Sequence, residues 1–205
     1  METNVYTGGT QVHTLVEDIA DWYRRPHQMP TPAELAFGWH SHARELMANA
    51  TMACRFAYSY RPEPAHIGCS VLGYSNGKFD ASPIGWNCTV RQLSDEQKAI
   101  FKPCAEKHGI IDCFNRGMLP VGLMVHTDHL QEDDVTSLLL DVFVPCYNCI
   151  EWMETKLPPW LRIGCFRNRL PSDPPSTDQF VRLGTSLDQL GLLHQRAYEH
   201  KHHHR

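Results

Sequence analysis

No stretch of this 205-residue chain approaches the roughly 18 consecutive apolar residues that a membrane-spanning helix needs. The first residues, METNVYTGGTQVHTLVEDIADW, carry acids early and hold no apolar run. They do not read as a secretory leader, and the expected compartment is the cytoplasm. An excess of positive charge is missing too: 19 Lys and Arg stand against 23 Asp and Glu, for a formal net charge of −4. A generalised basic surface for nucleic acid is therefore not expected. No internal repeat is visible. What remains is ordinary for a globular protein, with 42% hydrophobic and 10% aromatic residues. The length suits one domain with a full core rather than two.

Cysteine, by contrast, is plentiful. Eight fall at 54, 69, 88, 104, 113, 146, 149 and 165. In a reducing compartment they read as thiols and thiolates rather than disulfides. Cys146 and Cys149 alone form a CxxC pair.

Local signals divide the chain. Residues 16–24 suggest a short amphipathic helix, followed by a linker punctuated by Pro26 and Pro30. Thr31-Pro32-Ala33-Glu34 is a helix start: Thr31 caps, Pro32 suits the first turn and Glu34 completes a capping box. Leu35, Trp39, Leu46, Ala50 and Ala53 give that helix an apolar stripe to about Tyr60. Two strand-like runs, 65–74 and 78–89, flank Asn76-Gly77, a hairpin signal; Pro83 breaks the second run. Pro103 opens a helix that Gly117 can end. Strands are expected over 119–127, 138–144 and 161–166, with a helix after Pro145 between the last two. This order predicts a three-layer α/β/α domain around a mixed sheet. The catalytic domain is placed at 31–166, with an extension over 1–30. A second extension, 167–205, holds one apolar piece and a His-rich end that reads as a disordered tail.

Two segments carry chemistry: Pro103-Cys104-Ala105-Glu106 and Pro145-Cys146-Tyr147-Asn148-Cys149. Each puts a cysteine at the start of a helix, where free amides and a partial positive charge favour thiolate, the metal-binding form. Cys146 and Cys149, three apart, share a helical face, and Cys104 can add a third ligand. Three protein ligands leave one tetrahedral position open, as catalytic zinc sites do. Glu106, two residues beyond Cys104, can reach a metal-bound water without ligating the metal.

At these residues the chain resembles the cytidine deaminase superfamily, in the branch whose first ligand is the Cys of C-A-E. The likeness spans roughly residues 45–166. It covers the helix ending AYSY, the hairpin HIGCSVLGYSNGKF, the GWNC segment and the C-A-E helix. It continues through LPVGLMVHT, the P-C-x-x-C helix and LRIGCF. The resemblance implies Zn2+ on Cys104, Cys146 and Cys149. It implies hydrolytic replacement of the amino group of a cytosine-type ring, with Glu106 carrying protons between water, ring nitrogen and departing ammonia. The candidate substrate-binding residues are Asn87, Thr89, Ala105 and Trp86, and the resemblance implies a homo-oligomer, a dimer or tetramer. Departures fall on the sugar side. Where family members have N-x-E, this chain has Asn87, Cys88 and Thr89, and Ala65 stands where a Phe is common. Ile150 replaces an Arg often found after the last ligand, whereas Lys107 matches the usual Arg after C-A-E.

The expected substrate is thus a cytosine-containing small molecule: a nucleoside, a nucleotide or a modified nucleoside such as an antibiotic. A deaminase of single-stranded nucleic acid is the rival enzyme, with Arg162, Arg167 and Arg169 as the one basic cluster near the site. A zinc-stabilised binding module is the non-enzyme reading, its fourth ligand coming from Cys113, Cys88 or His108. A lone CxxC also suits a redox pair, but that leaves Pro103-Cys104-Ala105-Glu106 unexplained. Trp86 can stack a base or pack in a core, Asn87 can hold a ligand or a turn, and His126 and His129 read first as structural.

Overall fold

A computed structural model describes residues 23, 29–60, 66–87, 104–127, 144–168 and 180–203. All but Tyr23 of the expected helix at 16–24, together with Ala65, Cys88, Thr89, His129, Arg169 and nearly all of the expected strand at 138–144, lie outside them. The elements are α1 (Pro32–Tyr60), β1 (Ile67–Ser75), β2 (Lys78–Asp80), β3 (Ile84–Trp86), α2 (Ala105–Asn115) and β4 (Leu119–Thr127). They continue with α3 (Tyr147–Lys156), β5 (Arg162–Asn168), β6 (Phe180–Ser186) and α4 (Leu187–His203).

Local chemistry sets several of these boundaries. Thr31 and Glu34 form the capping box: the Thr31 amide donates to Glu34 Oε2 at 2.7 Å and the Glu34 amide to Thr31 Oγ1 at 3.3 Å. Asn76 and Gly77 take φ of 51° and 77°. Two successive positive values are what a two-residue hairpin joining β1 to β2 requires. Gly117, at φ 71°, ends α2, with the Met118 amide bonded to the Cys113 carbonyl at 3.2 Å.

The six-stranded sheet runs β2-β1-β4-β5-β6, and β3 pairs with β1 beyond β2. β4 and β5 are parallel; the other pairs are antiparallel. The architecture is α/β with a mixed sheet. On one face α1 packs against β1, β3 and β4, closing a core of Leu46, Ala50, Leu72, Leu119, Val121, Met124 and Phe166. On the other face α2 and α3 cover Cys69, Val71, Leu123, Val125, Ile163 and Cys165.

In β4 this two-sided core needs a correction to simple alternation. Leu119 and Val121 face α1, yet Leu123 and Val125 face α2 and α3. The register against β1 shifts between Leu72 and Gly73, which pair with Gly122 and Pro120. Val121 is the extra residue of a β-bulge, and a bulge changes which face the following side chains occupy.

The segment 167–205 supplies more than the single apolar piece seen in its sequence. β6 adds to the edge of the sheet alongside β5, and Leu187 and Leu190 of α4 join the core beneath α3. α4 extends into the His-rich end as far as His203.

Candidate metal centre and active site

The turns between helix and strand are short. α2 ends at Asn115 and β4 begins at Leu119; α3 ends at Lys156 and β5 begins at Arg162. Each helix therefore runs antiparallel to the strand that follows it. The N-termini of α2 and α3 come to the carboxyl ends of the parallel pair β4 and β5, where open α/β sheets bind ligands. Cys104 is the residue immediately before α2, and Cys146 immediately before α3. The Cys146 carbonyl accepts from the Cys149 and Ile150 amides at 2.8 and 3.0 Å.

The three thiols meet. The sulfur atoms of Cys104, Cys146 and Cys149 all lie within 4.8 Å of one another. A tetrahedral zinc with Zn–S bonds of about 2.3 Å separates its sulfurs by about 3.8 Å. The sulfurs thus need to draw in by no more than about 1 Å around such an ion. No other such group of metal-ligating side chains occurs among the described residues. The donor set, all cysteine sulfur, at two helix N-termini and closed to within an ångström, fits a metal ion. Cys113 is buried in the core, where its thiol contacts the Met118 carbonyl at 3.7 Å, and His108 Nδ1 donates to the Trp86 carbonyl at 3.0 Å. Neither joins the sulfur cluster as a fourth ligand.

Glu106 is 2% exposed, and the Cys149 thiol donates to its Oε2 at 3.6 Å. Burial first, then the negative charge of Cys146, raises its pKa to about 7. The carboxyl group is thereby poised to take and give a proton near neutrality. Hydrogen bonds from Cys104 and Cys149 hold the Cys146 thiol well below the ordinary thiol range. The same sharing, with burial, pushes the other two up. Lys107 is 6% exposed, with Nζ 5.4 Å from the centre of the Trp152 ring on α3. It brings a positive charge beside the acidic cluster.

Two packing features fix this geometry. Gly85 on β3 lies so close to the first turn of α2 that a Cβ there would sit 2.2 Å from the Ala105 carbonyl oxygen and from the Gly109 amide nitrogen. On the other side His194 of α4, buried, donates from Nε2 to the Pro145 carbonyl at 2.8 Å, one residue before Cys146. Reading residues 167–205 as an extension left His194 unnoticed; its helical surroundings become visible only in three dimensions.

The other expected site residues separate. Ala105 is fully buried in the first turn of α2. Asn87 is buried, and its Oδ1 accepts from the Ile67 amide at 2.8 Å, closing β3 onto the start of β1. Trp86 pairs with Gly68, which faces α1, and its ring meets Phe56 of α1 at 5.6 Å. The indole thus lies across the sheet from the sulfur cluster. His126 is buried, stacked on Phe166 at 4.4 Å and bonded to its carbonyl, a structural placement. Arg162 and Arg167 do not form the expected cluster. They stand at opposite ends of β5, about 16 Å apart at strand spacing, and point to opposite faces. Arg162 is exposed on the α1 face, while Arg167 is buried on the cysteine face at the site end.

No protein-family model matches the sequence, and comparison with curated proteins gives no match. Among solved structures the chain is similar to a cytidine deaminase from Burkholderia pseudomallei, at 17% identity and a TM-score of 0.48. The match covers 72% of this chain and 94% of that one. Among the described residues no helix is long and apolar enough to cross a membrane.

Proposed function

We propose that the chain is a zinc-dependent hydrolytic deaminase of a cytosine-type ring, releasing ammonia and leaving the uracil form. The observation that carries this reading is the meeting of three helix-terminal thiols with one buried carboxyl group. Cys104, Cys146 and Cys149 are the residues that would hold zinc. Bound there, zinc supplies a Lewis acid that brings the pKa of water toward neutrality. Glu106 does the proton work. It accepts a proton from the attacking water and delivers it to ring N3; it then takes the proton of the hydroxyl now on C4 and gives it to the amino group, whose bond to C4 breaks as the C4 carbonyl forms. Water enters, ammonia departs, and the carboxylate is restored. A carboxyl group with a pKa near 7 suits both directions of transfer. Lys107 offsets part of the thiolate charge. Ala105, in the turn between ligand and proton carrier, is the residue whose backbone is best placed to meet the ring, and Asn87 holds the strand end beside it.

Cytosine nucleosides, nucleotides and modified nucleosides are the proposed substrates. The formal net charge of −4 supports a small substrate better than a long polynucleotide, for which a basic channel would be needed. The homo-oligomer implied by the resemblance is carried as part of the same proposal.

The test is an ammonia-release screen of cytosine, cytidine, deoxycytidine, their 5′-phosphates and short oligonucleotides, with Glu106→Gln as the control. The carboxamide keeps the shape and cannot shuttle protons. Loss of one general acid–base group costs about 10²–10⁴ in rate, and one residue here serves several steps. The expected result is turnover on a cytosine compound, abolished in Glu106→Gln with zinc content unchanged. Zinc-bound protein that releases no ammonia from any of these would favour a zinc-stabilised binding module instead.

A further inference from the structure

A second concavity lies on the opposite face of the sheet and at its other end. α1 covers β1, β3 and β4, and beyond it Gly184 of the edge strand β6 lies exposed in the floor of the concavity. Gly164 pairs with Gly184 across these strands, and Gly122 pairs with Arg162. A Cβ on Gly122 would sit 2.8 Å from the Trp39 ring, and one on Gly164 would sit 3.1 Å from it. The indole is thus seated against the backbone of β4 and β5, beside the Met124 side chain, which lies 2.7 Å from the Cβ position of Gly164. A Cβ on Gly184 would meet nothing within 4 Å, so the floor stays open toward the sheet edge. The cavity above it has a volume of about 510 Å³ and is walled by Trp39 and Trp160. That volume lies in the range of small-molecule sites.

Polar residues make up half of its lining, and two of them, Thr185 and Gln189, are bonded to each other at 2.9 Å. Arg162 points to this face, exposed, with no ion-pair partner among the described residues. Ser186, its cross-strand neighbour, and Asp188 at the start of α4 line the same end. The Asp188 carboxylate takes a hydrogen bond from the Ser186 side chain and keeps lone pairs for a further donor. Aromatic walls, an open floor at Gly184, one guanidinium without an ion-pair partner among the described residues and one acceptor suit a planar ring with an anionic group and an amino or hydroxyl donor.

We propose that this groove is a second small-molecule site, separate from the cysteine centre, for an amino-substituted planar ring carrying a carboxylate or phosphate. The cysteines lie across the sheet and one strand length away, so the two sites do not share side chains. The proposal is independent of the deaminase reading, because nothing in the groove takes part in that chemistry.

The experiment is calorimetric titration of the whole chain with adenosine 5′-monophosphate, adenosine, 4-aminobenzoate and inorganic phosphate. It is repeated on Arg162→Gln and Gly184→Val. The open space above Gly184 means that valine fills the groove without meeting the fold, and Arg162 is exposed, so both variants are expected to melt as the parent does. One of the two anionic rings should bind, and which one distinguishes phosphate from carboxylate as the preferred anion. Arg162→Gln should weaken that binding about 10- to 100-fold, the loss of one charge-assisted hydrogen bond. The same change should leave adenosine unaltered, and Gly184→Val should abolish ring binding. Three outcomes would overturn the proposal: no anionic ring binding at millimolar concentration, phosphate alone binding as well as the rings, or variants that bind as the parent does. If Gly184→Val proves unfolded, Arg162→Gln alone decides.

Discussion

Gly85→Ala is the most informative single methyl group that can be added to this protein. The new Cβ would lie 2.2 Å from the Ala105 oxygen and the Gly109 nitrogen, and 2.9 Å from Gly109 Cα. Ordinary contact needs roughly 3.5 Å, so β3 and α2 must part by about 1 Å. Neither is free to move. The Ile84 amide donates to Asp112 Oδ2 at 3.2 Å and His108 donates to the Trp86 carbonyl at 3.0 Å, both clamping α2 to β3. The Val71 amide in turn holds the Pro83 carbonyl at 2.9 Å. Overpacking costs about 1–3 kcal/mol, and weakening one clamp adds about 1 kcal/mol. At about 2–4 °C per kcal/mol for a chain of this size, Tm should fall by roughly 5–15 °C. The same separation carries Cys104 and Glu106 away from Cys146 and Cys149, so zinc affinity should fall with stability. Gly184→Ala, which meets nothing, is the matched control. The assay is a thermal melt of both variants, paired with zinc competition against a chromophoric chelator. A Gly85→Ala protein that melts within about 2 °C of the parent and holds zinc as tightly would refute the close approach and its link to the metal centre.

Other outcomes follow from the same geometry. At free zinc a thousandfold above Kd, binding stabilises by about 4 kcal/mol, so excess chelator should lower the parent's Tm by about 10 °C. Cys146→Ser should melt identically with and without chelator, and elemental analysis should find it without zinc. His126 has its pKa lowered from 6.5 to about 4 by burial. Between those values the unfolded chain binds a proton that the folded chain refuses. Its contribution is therefore complete above pH 6.5 and lost as pH falls through 4, with a ceiling of about 3 kcal/mol. Denaturant melts of His126→Gln should show a shallower loss over that window than the parent; an unchanged slope would assign the acid sensitivity to other groups. Finally, Thr89 stands where a ribose-gripping Glu is common in the resembling family. Values of kcat/KM for cytidine and deoxycytidine should thus differ by less than about tenfold, and strong preference for cytidine would place the sugar grip elsewhere.

The sequence carried the site further than it carried the sheet. Pro103-Cys104 and Pro145-Cys146 mark helix starts through proline geometry and thiol chemistry, signals that need no tertiary context, and both cysteines stand at helix N-termini. Asn76-Gly77 and Thr31 with Glu34 were legible for the same reason. β6 was not, because a short strand at a sheet edge has little apolar pattern of its own and is defined by its neighbour. The bulge in β4 was hidden as well, since Leu119, Val121, Leu123 and Val125 look like an unbroken alternation while facing two different helices. The expected arginine cluster failed on parity. Arg162 and Arg167 are five apart on a strand, and an odd spacing sends side chains to opposite faces. Trp86 and Asn87 are adjacent, so a strand cannot aim both at one pocket.

The bulge at Val121 bears on how this protein can change its length. In a central strand, losing one residue inverts every side chain beyond it and is ruinous. Here Leu119 faces α1 and Pro120 the other way, while Gly122, Leu123 and Met124 continue the alternation from α1 outward. Remove Val121 and the two halves of β4 join in phase, with every remaining side chain still on its present face. The strand that anchors the parallel pair thus contains one codon's worth of slack. A deletion there would cost a buried valine and nothing of the pattern, so homologues one residue shorter at this point are compatible with an unchanged fold and an undisturbed metal centre.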